Sequence, residues 1–404
     1  HVDCGLPSQT SGCQTGIMYG RNDNVPAFYW FDKVQGKRFE SGVDASLSNS
    51  WFADGTGLMR GGSSIGNMMN GDAKKSLLTL CSLGAGGDEE NKQRAQDIYL
   101  LMLDPYFFMR TLVLFFGDVL LELWQGARQR IQNFQPRMNC LHKAFPFVRA
   151  GIAVFVRDVS AYIATLDVIR GAPAVYVNYT GYDEVAHYAG PWTRDAFGSL
   201  RGWDRIIGHF RDVIARKAPR PYELIILSDH GQSYGATFKQ RYGLSIKEFI
   251  EQQLPSGTTV SQQIGGDTGA YGLQGVAGEL SNYQESGSGN AFDRTLAKQG
   301  GKLAAQGAAK VDAGKDDTGM EASVVAYGSG NAAQIYFDLV PRKILLSELN
   351  EAYPGMVDAV VQHPGIGMVL GYDENGSVIV MGKGGTRNLE TGEVVGDDPV
   401  APYA

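Results

Sequence analysis

Hydropathy changes character several times along this chain. Residues 1–85 hold short apolar pieces set among Gly, Ser and Asn. From residue 88 the pattern turns helical. The stretch GGDEENKQRAQ places acids in the first turn, where the helix dipole favours them. The most apolar stretch follows at 98–124, IYLLMLDPYFFMRTLVLFFGDVLLELW. Asp104, Pro105, Arg110, Asp118 and Glu122 interrupt it, so no uncharged run suits a simple spanning helix. The spacing predicts two core-packing helices broken at Asp104-Pro105. A helical pair lying against a bilayer surface is the alternative.

From residue 150 the pattern changes again. AVYVNYT (174–180) and YELIILS (222–228) are continuous apolar runs, the form taken by strands buried on both faces of a parallel sheet. Between them, residues 193–217 repeat apolar positions at helical spacing, among them Leu200, Trp203, Phe210 and Val213. Strand, helix, strand predicts a right-handed crossover in an α/β sheet. Residues 256–333 are rich in Gly, Ser, Gln and Ala and are expected as a surface insertion, disordered in part. AQIYFDL (333–339) resumes the core as a strand. SELNEAYPGMVDAVVQHPG predicts a helix, and GMVLGYDENGSVIVMG predicts a hairpin turning at Glu374-Asn375-Gly376.

Composition fits a globular protein with a sizeable core, at 43% hydrophobic and 20% charged residues. The formal net charge of −7 comes with no basic stripe, so no nucleic-acid duplex partner is expected. Cys4, Cys13, Cys81 and Cys140 form no CxxC pair and leave the redox compartment open. The chain starts at His1, and the residues that follow do not read as a signal peptide.

The chemistry-bearing residues cluster at predicted strand ends, where α/β sheets collect ligands. After AVYVNYT comes GYDEVAHYAGP, with Asp183 and His187 one helical turn apart on one face. After YELIILS come Asp229 and His230. Singly, each pair reads as a surface pair or as a turn with a helix cap. Together they point to two neighbouring metal sites, and carboxylate with imidazole suits Zn, Mn or Fe better than Ca. Near the start, CGLPSQTSGCQTGIMYG sets Thr10 where a helix can begin. A hydroxyl at a helix N-terminus beside a divalent cation is a candidate nucleophile; the plainer role is a helix cap. In GGSSIGNMMNGDA (61–73), Ser63, Ser64 and Asn67 are candidate donors to a phosphate oxygen, or parts of an ordinary polar loop.

LPSQTSGCQTGIMYG, YTGYDEVAHYAGP and LSDHGQ, in this order, resemble the alkaline phosphatase superfamily, and within it the type I phosphodiesterase/nucleotide pyrophosphatase branch. Thr10 with Gly20, Asp183 and His187 with Gly190-Pro191, and Asp229-His230-Gly231 are the matching positions. The resemblance spans roughly residues 1–240 and the strands after 333. It implies an α/β fold with a mixed, mostly parallel sheet flanked by helices, in one domain with a helical insertion at 88–143 and the glycine-rich one at 256–333. It further implies two zinc ions, one on Asp183 and His187, the other on Asp229 and His230 together with Thr10. Stretches such as RNDNVPAFYWFDK resemble a bacterial subgroup described as membrane-associated, which implies a membrane-associated or extracytoplasmic location.

Two departures stand against the family pattern. A metal-binding Asp on the first strand has no counterpart, since Asp3 lies in the wrong context. A late His-Gly ligand is missing as well, and His363 in QHPGIG is expected to begin a turn instead. Each metal is left with two clear side-chain ligands, fewer than zinc sites usually take. The chain is accordingly expected to be a fragment lacking both ends of the family domain. The leading expectation is a zinc-dependent hydrolase of phosphodiester or pyrophosphate bonds in a small phosphate ester or nucleotide. The alternatives are an inactive member serving membrane association or partner binding, and a phosphomonoesterase or phosphomutase. A sulfatase is disfavoured because neither Cys4 nor Cys13 lies in the C/S-x-P-x-R signature.

Overall fold

The structure is a computed structural model and describes residues 8–21, 23–25, 27–83, 88–133, 145–264, 268–286, 291–312 and 322–403. The chain divides into two compact units. One comprises His1–Phe28, Glu40–Gly235 and Gly266–Gly314; the other comprises Tyr29–Phe39, Ala236–Gly265 and Lys315–Ala404. The architecture is mixed α/β with a parallel sheet, as the family resemblance implies.

In the first unit, strand Ser63–Ile65 is central and pairs in parallel with Lys75–Leu77 on one side and Val175–Val177 on the other. The last lies within the predicted strand 174–180. Three-residue strands make few ladder bonds, and helices supply most of the packing around them. Ile65, Leu77, Val159, Ile163 and Phe210 form the main apolar cluster. Helix Arg194–Lys217 matches the predicted 193–217 segment, and the Thr193 hydroxyl caps it by accepting from the Ala196 amide. The predicted break at Asp104-Pro105 is also present. Helices Asp88–Met102 and Pro105–Ile131 meet there, and the Asp104 carboxylate accepts from the Phe107 amide.

Three expectations need correction. The run 222–228 pairs with no described strand, and Ile225 and Ile226 are 71% and 66% exposed. A continuous apolar run becomes a buried strand only where neighbours supply a ladder and cover both faces, and here neither is present. Second, the helix Pro105–Ile131 does not bury its apolar face. Thr111, Glu122, Gln125 and Gln129 point inward, while Val113, Phe116, Leu120 and Trp124 are exposed. Ion pairs set this rotation: Glu122 and Asp118 pair with Arg149, and Arg128 with Asp195. Third, the glycine-rich segment is not only surface. It contributes helices Thr268–Glu285 and Ala291–Asp312, which bury Val276, Glu279, Tyr283, Ala297 and Ala304. Glycine permits this closeness: a Cβ on Gly275 would stand 3.1 Å from the Leu78 carbonyl oxygen.

The second unit contains a three-stranded sheet in which Val260–Ile264 runs parallel to Val324–Ser329, and Val324–Ser329 antiparallel to Ala332–Phe337. An antiparallel meander follows, with Val369–Tyr372, Val378–Gly382, Gly385–Asn388 and Val394–Gly396. Its first two strands are the predicted hairpin. The predicted helix after Ser347 is broken into Leu346–Ala352 and Met356–Gln362, with Gly355 in the left-handed region at φ 80°. Phe249, Ile250, Val260, Val324, Phe337 and Leu349 are at its core.

The first unit is stapled by buried ion pairs. Lys75 on its strand reaches Asp97 at 2.6 Å and Asp167 at 2.5 Å, and Arg94 reaches Glu279 at 2.7 Å. Arg94→Ala would leave the Glu279 carboxylate buried without its cation and is expected to cost about 3–5 kcal/mol. Urea unfolding checks this. Replacing both partners with apolar residues, Arg94→Met with Glu279→Leu, should cost clearly less.

Candidate functional site

Four segments of the first unit build the candidate site. The helix Thr10–Tyr19 begins at Thr10 itself, with Gln9 as its extended N-cap residue. Thr10 is buried, and the Gln14 side chain accepts from the Met68 amide at 2.8 Å, tying this helix to the loop after the central strand. Asn67 is in that loop. Strand Val175–Val177 leads through residues 178–180 into helix Gly181–Ala189, which carries Asp183 and His187. The segment after the exposed 222–228 run supplies Asp229 and His230.

The Thr10 Oγ1 lies 3.0 Å from His230 Nε2. His230 Nδ1 lies 2.9 Å from the Gly231 carbonyl oxygen. A carbonyl can only accept, so Nδ1 carries a proton in that contact; with Nε2 unprotonated, Thr10 is the donor to it. A helix N-terminus adds favourable dipole potential for negative charge developing on the Thr10 oxygen.

Burial pushes the Asp229 carboxyl pKa up; neighbouring His230 lowers it and Asp183 raises it further. The Asp229 carboxylate also acts on Tyr176, whose hydroxyl is driven above its usual range mainly by burial. His230 is the neighbour that favours the charged form of Asp229, with its Nε2 3.9 Å from Oδ1. His187 Nε2 lies 3.4 Å from Asp183 Oδ1, one turn along the same helix, as the i, i+4 spacing predicts.

Two carboxylates and two imidazoles in this setting match a divalent cation in donor type and charge. The donor count is smaller than such an ion usually takes. Among the described residues, no group of three or more His, Cys, Asp or Glu is placed to hold a metal. Asp183 with His187, and Asp229 with His230, remain two half-sets.

Asn67 is 1% exposed. Its Nδ2 donates to Ser64 Oγ at 2.8 Å and to the Tyr176 carbonyl at 3.2 Å, while Oδ1 makes no hydrogen bond. Its amide hydrogens are therefore used within the protein. Ser63 and Ser64 belong to the central strand, and the Ser64 hydroxyl donates to the Met69 carbonyl. His363, in the second unit, starts a turn in which its Nδ1 accepts from the Gly365 amide at 3.1 Å. Its ring stands among Phe238, Tyr242 and Phe249. Asp3, His1 and His142 lie outside the described residues.

Two residues enter that sequence reasoning passed over. Gln232 Nε2 donates to Asp183 Oδ1 at 3.2 Å, which links the two half-sets across a 49-residue separation. It follows the Asp-His-Gly stretch directly, so that position was the available signal. Tyr176 had no signal beyond its place on a strand.

Comparison with family models matches residues 137–305 to type I phosphodiesterase/nucleotide pyrophosphatase. That span contains Asp183, His187, Asp229 and His230 and begins well after Thr10 and Asn67. No curated protein and no solved structure matches the chain.

Gly190 ends the helix bearing Asp183 and His187, at φ 94°. A Cβ there would stand 2.7 Å from a Tyr234 ring carbon. Gly190→Ala is expected to destabilise the protein by about 1–3 kcal/mol through backbone strain and to displace the ring. Thermal unfolding checks the loss. Tyr234→Ala in the same chain should restore the part due to the clash and leave the part due to φ.

Proposed function

We propose, for a chain whose residues 137–305 match the type I phosphodiesterase/nucleotide pyrophosphatase family, a phosphoester hydrolase in which Thr10 is the nucleophile. The supporting observation is the 3.0 Å contact between Thr10 Oγ1 and His230 Nε2. The substrate class is a small phosphodiester or pyrophosphate, including nucleotides. Thr10 oxygen attacks phosphorus in line with the leaving oxygen. The phosphorus–oxygen bond to that group breaks, the leaving oxygen keeps the electron pair, and a phosphothreonine remains for water to hydrolyse. The Thr10 proton passes to water, since Nε2 is the His230 nitrogen left for a metal once Nδ1 is engaged by the Gly231 carbonyl. The helix N-terminus favours the developing negative charge on the Thr10 oxygen.

Asp183 with His187 and Asp229 with His230 would hold two zinc ions, or manganese or iron, and such ions supply Lewis-acid stabilisation of phosphate oxygens when bound. The Asp183 carboxylate acts on Asp229 by like-charge repulsion, and a cation between the two pairs would relieve it. Gln232 orients Asp183 through its amide. Asn67 has its amide hydrogens engaged, so its part is to hold the loop beside the helix of Thr10.

A second reading, a non-catalytic family member, is favoured by one observation. Two half-sets of donors do not make a three-ligand site among the described residues. Zinc stoichiometry separates the two readings. Elemental analysis after zinc loading and exhaustive buffer exchange should give two zinc per chain, falling in Asp183→Ala and in Asp229→Ala. Substoichiometric zinc in the wild-type chain supports the non-catalytic reading.

Thr10→Ala should reduce turnover of a chromogenic phosphodiester to background while zinc uptake persists. Thr10→Ser, which keeps a hydroxyl, should retain measurable turnover. Full turnover in Thr10→Ala would remove Thr10 from the chemistry.

A further inference from the structure

The pair Asp183 and His187 lacks a third ligand among the imidazoles, carboxylates and thiols of the described residues. A neutral oxygen donor stands beside it. Gln232 Nε2 donates to Asp183 Oδ1 at 3.2 Å and to the Asp183 backbone carbonyl at 3.5 Å. Both of those partners accept, so the amide hydrogens face Asp183 and the other end of the group is the carbonyl. That oxygen, Oε1, is buried and makes no hydrogen bond among the described residues.

No sheet ladder forces Gln232 into this position. The turn before it is held locally: the Ser228 hydroxyl donates to the His230 carbonyl, and the His230 amide donates to Asp229 Oδ1. The side chain is then fastened to Asp183 by its amide hydrogens alone, which leaves the carbonyl oxygen inside and unmatched. A buried acceptor is costly to leave in that state.

The surroundings say what matches it. Asn67 also has a buried oxygen without a hydrogen bond, but its partners, the Ser64 hydroxyl and the Tyr176 carbonyl, are uncharged. Gln232 is bonded to a carboxylate, and His187 Nε2 lies 3.4 Å from the same Asp183 Oδ1. Carboxylate, imidazole and amide carbonyl are three ligand types, and a divalent cation satisfies all three at once.

We propose that the Gln232 side-chain carbonyl oxygen is the third protein ligand of a divalent cation held by Asp183 and His187. This rests on the reading of those two residues as metal ligands. With its amide hydrogens on Asp183, one side chain both orients that carboxylate and adds a donor. Three protein ligands leave a position open, as catalytic metal sites do.

Manganese(II) is the probe, because oxygen ligands suit it and its spin reports its neighbours. The full chain, freed of metal by a chelator, is titrated with manganese(II), and the free ion is counted by electron paramagnetic resonance. Gln232→Leu, with its fold checked by circular dichroism, should weaken manganese binding about 10–100-fold. Loss of a residue that only orients Asp183 has the same effect, so two further measurements separate the roles. Gln232→Glu keeps an oxygen donor but gives up the amide hydrogens on Asp183. As a ligand it should restore binding to at least the wild-type strength; in an orienting role it should bind as weakly as Gln232→Leu, since a second carboxylate then faces Asp183. Glutamine isotopically labelled at its side-chain carbonyl carbon should show a carbon hyperfine coupling to the bound manganese in the wild-type chain and none in Gln232→Glu. Unchanged binding in Gln232→Leu overturns the proposal, as does failure of Gln232→Glu to restore it or the absence of the coupling. Those results leave the metal reading of Asp183 and His187 standing. A wild-type chain that takes up neither manganese nor zinc removes that reading, and this ligand with it.

Discussion

The buried charges of the first unit decide where its helices stand. Strands of three residues cannot fix a sheet by their ladders alone. Lys75 places its ammonium between Asp97 and Asp167, carried by two different helices, and Arg170 closes on Asp97 from the other side. Arg94 reaches across to Glu279, which also accepts from the Leu78 amide. Each of these groups is tolerable inside only with its partner in place. The helices are therefore held at distances set by ion pairs, and apolar side chains fill the space that remains.

That frame carries the candidate chemistry. The central strand runs into the loop of Asn67, and its neighbour Val175–Val177 runs into the helix of Asp183 and His187. The Thr10 helix is tied to the first of these by Gln14. His230 then reaches Thr10, a contact between residues 220 apart in the chain. The Asp229–His230 segment has no ladder behind it. Its place comes from side chains: Gln232 on Asp183, and Tyr222 donating to the Ala172 carbonyl at 2.6 Å.

The same economy of charge explains the helix Pro105–Ile131. Its polar residues found partners on Asp158, Arg149 and Asp195, and its apolar residues were left with the outside. An apolar surface of that length in water marks a site of contact.

Much of this was legible from local pattern. Asp104-Pro105 announced a helix boundary, because capping needs only neighbours within one turn, and the apolar period over 193–217 announced the helix there. Asp183 and His187 share a face because a helix repeats at that spacing, and Glu374-Asn375-Gly376 turns a hairpin through its own backbone. The candidate residues Thr10, His187 and His230 were visible as residue types at element ends. Three things lay beyond local pattern. Residues 222–228 read as a buried strand, but strand pairing requires a partner that no local run contains. The stretch 98–124 read as core, because hydropathy counts apolar residues and is blind to which side the ion pairs claim. The glycine-rich 256–333 segment read as surface, because composition does not reveal that Gly275 allows a helix to approach the Leu78 backbone. Local sequence determined where elements begin, end and turn. Only the tertiary structure decided which faces are covered, since covering depends on charges and backbones far away in the chain.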